Sequence, residues 1–417
     1  MTEQMNVPKL RFGEFEEQLF LKPFGDLVTD VTYGPRFNAD DYSVEGNVRT
    51  IRGTDMGNNG EIKYAQVPTA QLDEKTVSRH ELKHGDLVMI TTADCGVTSV
   101  YREQDIKHIC SAYAVKIELN KGADSTYFKY FFQTRKAQYE VSRFIRRATV
   151  SNLPGSDIKR FRQYPPTHRE QQKIASFLSK VDEKIGLLSE KKDKLTEYKR
   201  GVIQQLFNGK WQEQDGQITF TPPTLRFKAD DGSEFPDWKE MRGGELFEPI
   251  SNKNHSSDLP VLAITQNQGA VPRDQINYKV SVSESSVASY KVVEKGDFII
   301  SLRSFQGGIE YSEYTGICSP AYVILRAKKE ISDYFFKLYL KTYPFIVEMQ
   351  KRLEGIRDGK IISYKYFSEI SMPYPSITEQ EKIVQFLSTL DQKIELTNIE
   401  LEKSKEWKKG LLQQMFV

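Results

Sequence analysis

Apolar positions recur at alternating steps of four and three along two long stretches of the chain. Ile174, Leu178, Val181, Ile185, Leu188, Lys192, Leu195, Lys199, Val202 and Leu206 form one seam. Adding 209 to each number gives Ile383, Leu387, Leu390, Ile394, Thr397, Leu401, Ser404, Lys408, Leu411 and Met415. Such a spacing predicts helices that supercoil around a partner. The residues between the seams repeat too: EQQKIASFLSKVDEKI (170–185) returns as EQEKIVQFLSTLDQKI (379–394), and EYKRGVIQQLF (197–207) as EWKKGLLQQMF (406–416). Pro165 and Pro166 precede the first stretch, Pro375 the second, and Asn208-Gly209 is a stop signal after the first. Some 40 residues at 1.5 Å rise make a helix of about 60 Å. Burying a Leu-sized side chain is worth roughly 1.5–3 kcal/mol, so two seams left in water would be costly. Antiparallel packing of one on the other needs no outside partner, with Ile174, Leu178, Val181 and Ile185 and their counterparts Ile383, Leu387, Leu390 and Ile394 carrying it. Lys192, Lys199 and Lys408 interrupt the seam; their stems are expected along it and their ammonium groups in water. Gly201 and Gly410 repeat inside both helices, each costing about 1 kcal/mol relative to Ala. Close approach of another backbone or a kink would account for them.

Weaker echoes lie upstream of each helix. PKLRF (8–12) resembles PTLRF (223–227), HGDLVMI (84–90) KGDFIIS (295–301), ICSAYAV (109–115) ICSPAYV (317–323), and STYFKYF (125–131) SDYFFKL (332–338). Residues 86–91 and 297–302 read as buried strands, 127–139 and 334–350 as amphipathic helices, and 56–60 as a Gly-rich turn. The chain therefore reads as mixed α/β (α+β): a globular domain over 1–165, a long helix over 166–209, a second globular domain over 210–375 and a second helix over 376–417, arranged with pseudo-twofold symmetry.

Composition narrows the class. Apolar residues make up 38% and charged residues 28%, and no apolar run approaches the roughly 20 residues of a membrane span. The first ten residues show no basic stretch followed by an apolar one, and the cysteines, Cys95, Cys110 and Cys318, are far apart and odd in number. Reduced thiols in the cytosol are the expectation. A net charge of +2 means that any basic surface is local.

Catalytic constellations are missing from the sequence. There is no P-loop, no GxGxxG after a strand, and no Cys or His pair at metal-ligand spacing. Tyr164-Pro165-Pro166-Thr167 is superficially similar to the Asp/Asn-Pro-Pro-aromatic motif of amino-methyltransferases but lacks both its leading and its trailing residue. Polyanion-binding chemistry is better represented. Arg143, Arg146, Arg147, Lys159, Arg160 and Arg162 cluster before the first helix with Asp157 the only acid among them; Lys351, Arg352, Arg357, Lys360 and Lys365 occupy a comparable place before the second, diluted by Glu354 and Asp358. Clustered Lys and Arg neutralise phosphates and set affinity without sequence preference. Base edges are read by Arg, Asn, Gln and Lys on loops that enter a groove. Tyr33, Arg36, Asn38, Arg49 and Arg52 offer such a surface in the first domain, and Gln266, Asn267, Gln268, Arg273, Arg303, Ser304 and Gln306 in the second. The loop sets diverge where the helices nearly repeat. A scaffold binding protein surfaces and a degenerate methyltransferase are the competing classes; salt-sensitive DNA binding separates the first, and the missing cofactor motifs argue against the second.

With these residues in place, the chain resembles the specificity subunit of type I restriction-modification systems. The paired EQQKI and EQEKI segments, the QQLF and QQMF endings and SLRSFQGGIEYSEYTGICSPAYVIL (301–325) carry the resemblance, whereas TTADCGVTS (91–99) departs from its counterpart. The resemblance implies a non-catalytic subunit that binds an asymmetric two-part DNA sequence. It implies two modification subunits carrying S-adenosylmethionine, with ATP- and Mg-dependent restriction subunits in the full complex and no cofactor on this chain. It also implies a cytoplasmic bacterial or archaeal protein whose helix pair acts as spacer and docking surface.

Overall fold

The computed structural model describes residues 7–57, 59–147, 149–214, 217–255, 258–276, 287–351 and 362–417. Two long helices, His168–Leu206 and Ile377–Gln414, follow two mixed α/β regions. The chain divides into two compact units: 1–190 with 398–417, and 191–397. Each unit therefore holds one globular domain, the first half of the helix that follows it and the last half of the other helix.

Both domains are built on one plan. In the first, a four-stranded antiparallel sheet has the order Val28–Tyr33, Ala114–Leu119, Leu87–Ile90, Thr98–Val100. In the second, the order is Phe247–Ile250, Val323–Ala327, Phe298–Ile300, Glu310–Tyr311. Leu87–Ile90 and Phe298–Ile300 are buried on both faces, which is why they read as unbroken apolar runs. The Gly-Asp pair before each has a structural job. Gly85 and Gly296 sit at φ +92° and +100°, a region glycine enters without strain. Asp86 and Asp297 then accept the backbone N–H three residues back, Lys83 at 2.7 Å and Glu294 at 2.8 Å. Beside the sheet, Val48–Ile51 pairs parallel with His108–Cys110 in the first domain; a parallel bridge from Val261 to Ile317 holds the matching place in the second.

The stretches 127–139 and 334–350 are not continuous helices. Each is broken into two, Ser125–Phe131 with Arg135–Ser142, and Asp333–Tyr339 with Tyr343–Gln350. Thr134 and Thr342 adopt extended backbone at the breaks, and the Thr134 hydroxyl accepts the Ala137 N–H at 3.1 Å. A hydroxyl that can cap a new helix competes with continuing the old one. The structure also registers these helices at an offset of 208, one residue away from the match of 125–131 with 332–338. Asp124 and Ser332 precede them, and their backbone N–H groups donate to Gln171 and Gln380 at 2.9 Å each.

Within the first unit, helix segments 168–190 and 398–414 run antiparallel: Phe177 meets Trp407 edge-on at 6.0 Å, and Lys184 meets Glu400 at 3.1 Å. Ile174, Leu178 and Val181 are buried and Ile185 partly buried in one core with Phe24, Phe128, Leu411, Met415 and Phe416. In the second unit Ile383, Leu387 and Leu390 share a core with Val202, Leu206, Phe207, Phe335 and Phe336, and Ile394 is half-buried. The QQLF and QQMF endings are thus core anchors: Phe416 packs on Tyr127 and Phe131, and Phe207 on Phe335 and Tyr339.

The seam lysines behave differently from expectation. Lys408 bonds Asp182 at 2.7 Å and Lys199 bonds Asp391. These are equivalent pairs at the offset of 209, so the ammonium groups end on a carboxylate of the facing helix rather than in water. Glycines 201 and 410 also differ. A methyl group at either would meet nothing within 4 Å, which removes close backbone approach as their reason, and the helices run through both without a break.

The PKLRF and PTLRF arms are the most telling match. Arg11 grips Glu170 with two bonds of 2.8 Å, and Arg226 grips Glu379 at 2.9 and 3.0 Å. The glutamates are 1% and 0% exposed. Thr167 and Ser376 cap the same helix starts through the Glu170 and Glu379 N–H groups. Phe12 packs on Phe177 and Phe227 on Phe386, while the Leu10 and Leu225 N–H groups donate to Gln414 and Gln205 near the ends of the partner helix segments.

Two outcomes are expected. Gly201→Ala and Gly410→Ala should each raise stability by about 1 kcal/mol in urea unfolding; a loss in either would mean the glycine is needed. Arg11→Ala and Arg226→Ala should each cost about 3–5 kcal/mol, because the buried Glu170 or Glu379 carboxylate loses its arginine. A cost below about 1 kcal/mol would show that the pair behaves as a surface ion pair.

Candidate nucleic-acid interface

In the first unit the chain leaves strand Val28–Tyr33 through Gly34, where a Cβ would lie 1.9 Å from the Cys110 carbonyl oxygen. Only glycine fits, and the turn it permits carries residues 35–38 onto the surface. Tyr33 anchors the loop's base: its hydroxyl accepts the Gly155 N–H at 2.6 Å and donates to the Leu153 carbonyl at 3.4 Å. Arg36 and Asn38 are exposed. Arg52 is held by two 3.0 Å bonds to the fully buried Asp55, and this partner raises its pKa. Arg49 lies in strand Val48–Ile51 and turns inward, donating to the Tyr64 carbonyl at 3.2 Å.

Arg36 and Arg52 share a cleft of about 800 Å³ with Tyr42, Thr92, Ala93, Asp94, Ser111 and Tyr113. Ala93 has φ +63° and is the only non-glycine residue with positive φ among the described residues. Backbone strain of this kind collects at functional loops. The 92–94 wall is bonded to the basic segment: the Ala93 N–H donates to the Ser151 carbonyl at 3.0 Å, and the Leu153 N–H to Thr91 at 2.7 Å. On that segment Arg143 pairs with Glu140 at 2.7 Å, and Asp157 meets Arg160 at 3.0 Å and Arg146 at 3.9 Å. Arg147 and Lys159 are exposed and show no ion pair among the described residues. Exposed ion pairs are worth only about 0–1 kcal/mol, so exchanging a carboxylate for a phosphate costs these arginines little.

In the second unit, residues 266–268 form the exposed tip between strands Leu262–Thr265 and Gly269–Pro272. The Gln268 N–H donates to the Thr265 hydroxyl at 3.0 Å. A Cβ on Gly307 would fall 2.9 Å from the Gln266 side chain, so this tip lies against the 303–308 loop. There Arg303 and Gln306 are exposed, while Ser304 is buried and accepts the Ser301 N–H at 2.9 Å, closing the turn. Lys341 ties the two loops, bonding the Gln266 carbonyl at 2.9 Å and the buried Glu310 at 2.6 Å. Arg273 is half-buried on a short turn beyond the second strand. Lys351 pairs with Glu348 at 2.9 Å. Arg352, Arg357 and Lys360 lie outside the described residues.

Each unit thus brings exposed hydrogen-bonding side chains together on loops fixed by a rigid sheet. The family model for the type I restriction modification DNA specificity domain matches residues 23–197 and again 236–404. The chain belongs to the type I restriction-modification DNA specificity family. It is 22% identical, over 98% of its length and 95% of the relative, to the putative type I restriction enzyme MjaX specificity subunit of Methanocaldococcus jannaschii. It is 25% identical to the MjaVIII specificity subunit of the same organism over 73% of each. Among solved structures it matches the S subunit of a type I system from M. genitalium (TM-score 0.52, 18% identity, 99% of both chains). The HsdS subunit of Thermoanaerobacter tengcongensis matches at TM-score 0.51 and 16% identity, over 97% of this chain and 98% of that one. A chain from a structure describing assembly of the type I R-M system matches at 0.56 and 16%, over 96% and 99%. The fold is therefore that of two domains joined by coiled-coil helices.

As a type I specificity subunit, the chain recognises DNA sequence and has no catalysis of its own. Burial pushes the thiols of Cys95 and Cys110 up and that of Cys318 up to about 12, far from a reactive thiolate at neutral pH. Residues 92–94, 111 and 113 were not picked out from sequence. The counterpart match of 91–99 with SLRSFQGGI was the signal available for the first of these loops.

The core of the first unit is pH-sensitive. His108 is 1% exposed, and its pKa is lowered from the ordinary 6.5 chiefly by burial, with Arg49 adding to it. The unfolded chain takes up a proton near 6.5 that the folded one refuses, so stability is full above that pH and falls as pH drops below it. His108→Gln should flatten this dependence in unfolding titrations of the first unit; an unchanged slope would assign the effect elsewhere.

Proposed function

We propose that the chain binds an asymmetric two-part sequence in double-stranded DNA, one part per unit, and directs partner subunits to methylate adenine within it. The observation that carries this is one scaffold displayed twice with different loop chemistry. Thr92, Ala93 and Asp94 stand where Arg303, Ser304 and Phe305 stand in the second unit. Arg36, Asn38 and Arg52 belong to the first reading set, Gln266, Asn267, Gln268, Arg303 and Gln306 to the second. Arg147 and Lys159 serve the backbone.

Two modification subunits carrying S-adenosylmethionine would supply the chemistry, and restriction subunits using ATP and Mg would join in the larger complex. Repeated apolar exposure on the helices supports two equivalent docking places. Leu187 and Leu396 are 60% and 67% exposed, and Tyr198 and Trp407 are 55% and 50% exposed, each pair at the offset of 209. A cytosolic location in a bacterium or archaeon accords with this role; no helix among the described residues is long and apolar enough to cross a membrane.

The reading is tested in the complex with modification subunits. Affinity for a site-bearing duplex should fall steeply with salt as phosphate contacts release counterions, and salt-insensitive binding would favour a protein-binding scaffold. Arg303→Ala should relax one half-site by about ten-fold or more and leave the other; equal loss at both would contradict separate reading. One heptad added to each long helix should lengthen the unread gap without changing either half-site.

A further inference from the structure

The cleft of the first unit has a chemistry that the arginines alone do not explain. It is lined by Asp94, Ser111 and Tyr113 as well as by Arg36 and Arg52. Tyr113 is 65% exposed, a large ring left in water within a concave surface. Ser111 is 6% exposed, yet its hydroxyl has no hydrogen-bond partner among the described residues. In the second unit the counterpart Ser319 uses its hydroxyl to accept the Ala321 N–H at 3.3 Å. The turn therefore has a use for this hydroxyl that Ser111 does not serve. The Ala93 N–H, donating to the Ser151 carbonyl at 3.0 Å, ties this side of the cleft to the basic segment.

A phosphate would be repelled by Asp94, whereas a base edge offers both donors and acceptors. A carboxylate accepts from the amino group of cytosine or adenine, a guanidinium donates to guanine, and an aromatic ring contacts the thymine methyl. We propose that this cleft takes base edges of DNA, and that Asp94, Ser111 and Tyr113 are specificity-determining residues of the first unit alongside Arg36 and Arg52. The inference rests on the two-part DNA reading above. In the second unit Phe305 and Ala321 stand at the places of Asp94 and Tyr113, so the two units would prefer different bases through one scaffold.

The test uses the complex with modification subunits and a randomised duplex pool, selecting bound sequences for the wild type, Asp94→Asn, Ser111→Ala and Tyr113→Ala. A two-part motif for the wild type establishes the background reading; without it that reading itself fails. The inference expects Asp94→Asn and Tyr113→Ala each to lose about ten-fold preference at positions of one and the same half-site, with a smaller loss for Ser111→Ala. The other half-site should stay at the wild-type level, and the affinity for non-specific duplex should not fall in any variant, rising in Asp94→Asn as a charge that repels phosphate is removed. Unchanged preference in the Asp94 and Tyr113 variants overturns it, as does equal loss at both half-sites.

Discussion

The ion pair between an arm arginine and a helix-start glutamate organises each unit. Arg11 with Glu170, and Arg226 with Glu379, join segments more than 150 residues apart. The carboxylate sits in the first turn of a long helix, where the macrodipole also favours negative charge. Around it the next residue, Gln171 or Gln380, accepts from the start of a short helix in the domain. The arm beside the arginine reaches the end of the other long helix. Removing the arginine strands a buried carboxylate, so helix, arm and domain hold together or loosen together.

That frame explains how reading loops can diverge on a repeated scaffold. The loops contribute exposed side chains, and substitutions on a surface usually change stability by within about 0.5 kcal/mol. Their backbones are fixed elsewhere, by Gly34 against Cys110, by Ser304 against Ser301 and by Lys341 across two loops. A unit can therefore change its exposed loop side chains while keeping its core, as expected of a subunit whose task is DNA sequence recognition.

The helices were legible because a period of three and four steps survives in sequence whatever the helix packs on. The partners of the seam lysines were not, since a carboxylate on another helix leaves no local trace; only the shared offset of Asp182 with Asp391 and Lys199 with Lys408 hinted at it. The helix breaks at Thr134 and Thr342 were hidden for a related reason: a single extended threonine inside an amphipathic run does not disturb the apolar pattern. Arginine and amide content drew the eye to 33–52 and 303–306. It passed over 92–94, where neither residue type occurs, and Tyr113, which sits in a motif otherwise shared with a buried strand.

The central claim is that two units of one chain read two different halves of one site. It is tested most directly by mapping methylated adenines in the genome of a host carrying this chain with its modification subunits. The account predicts one asymmetric motif with two fixed clusters of bases and an unspecified gap of constant length between them. A single contiguous motif, or two identical half-sites, would contradict it.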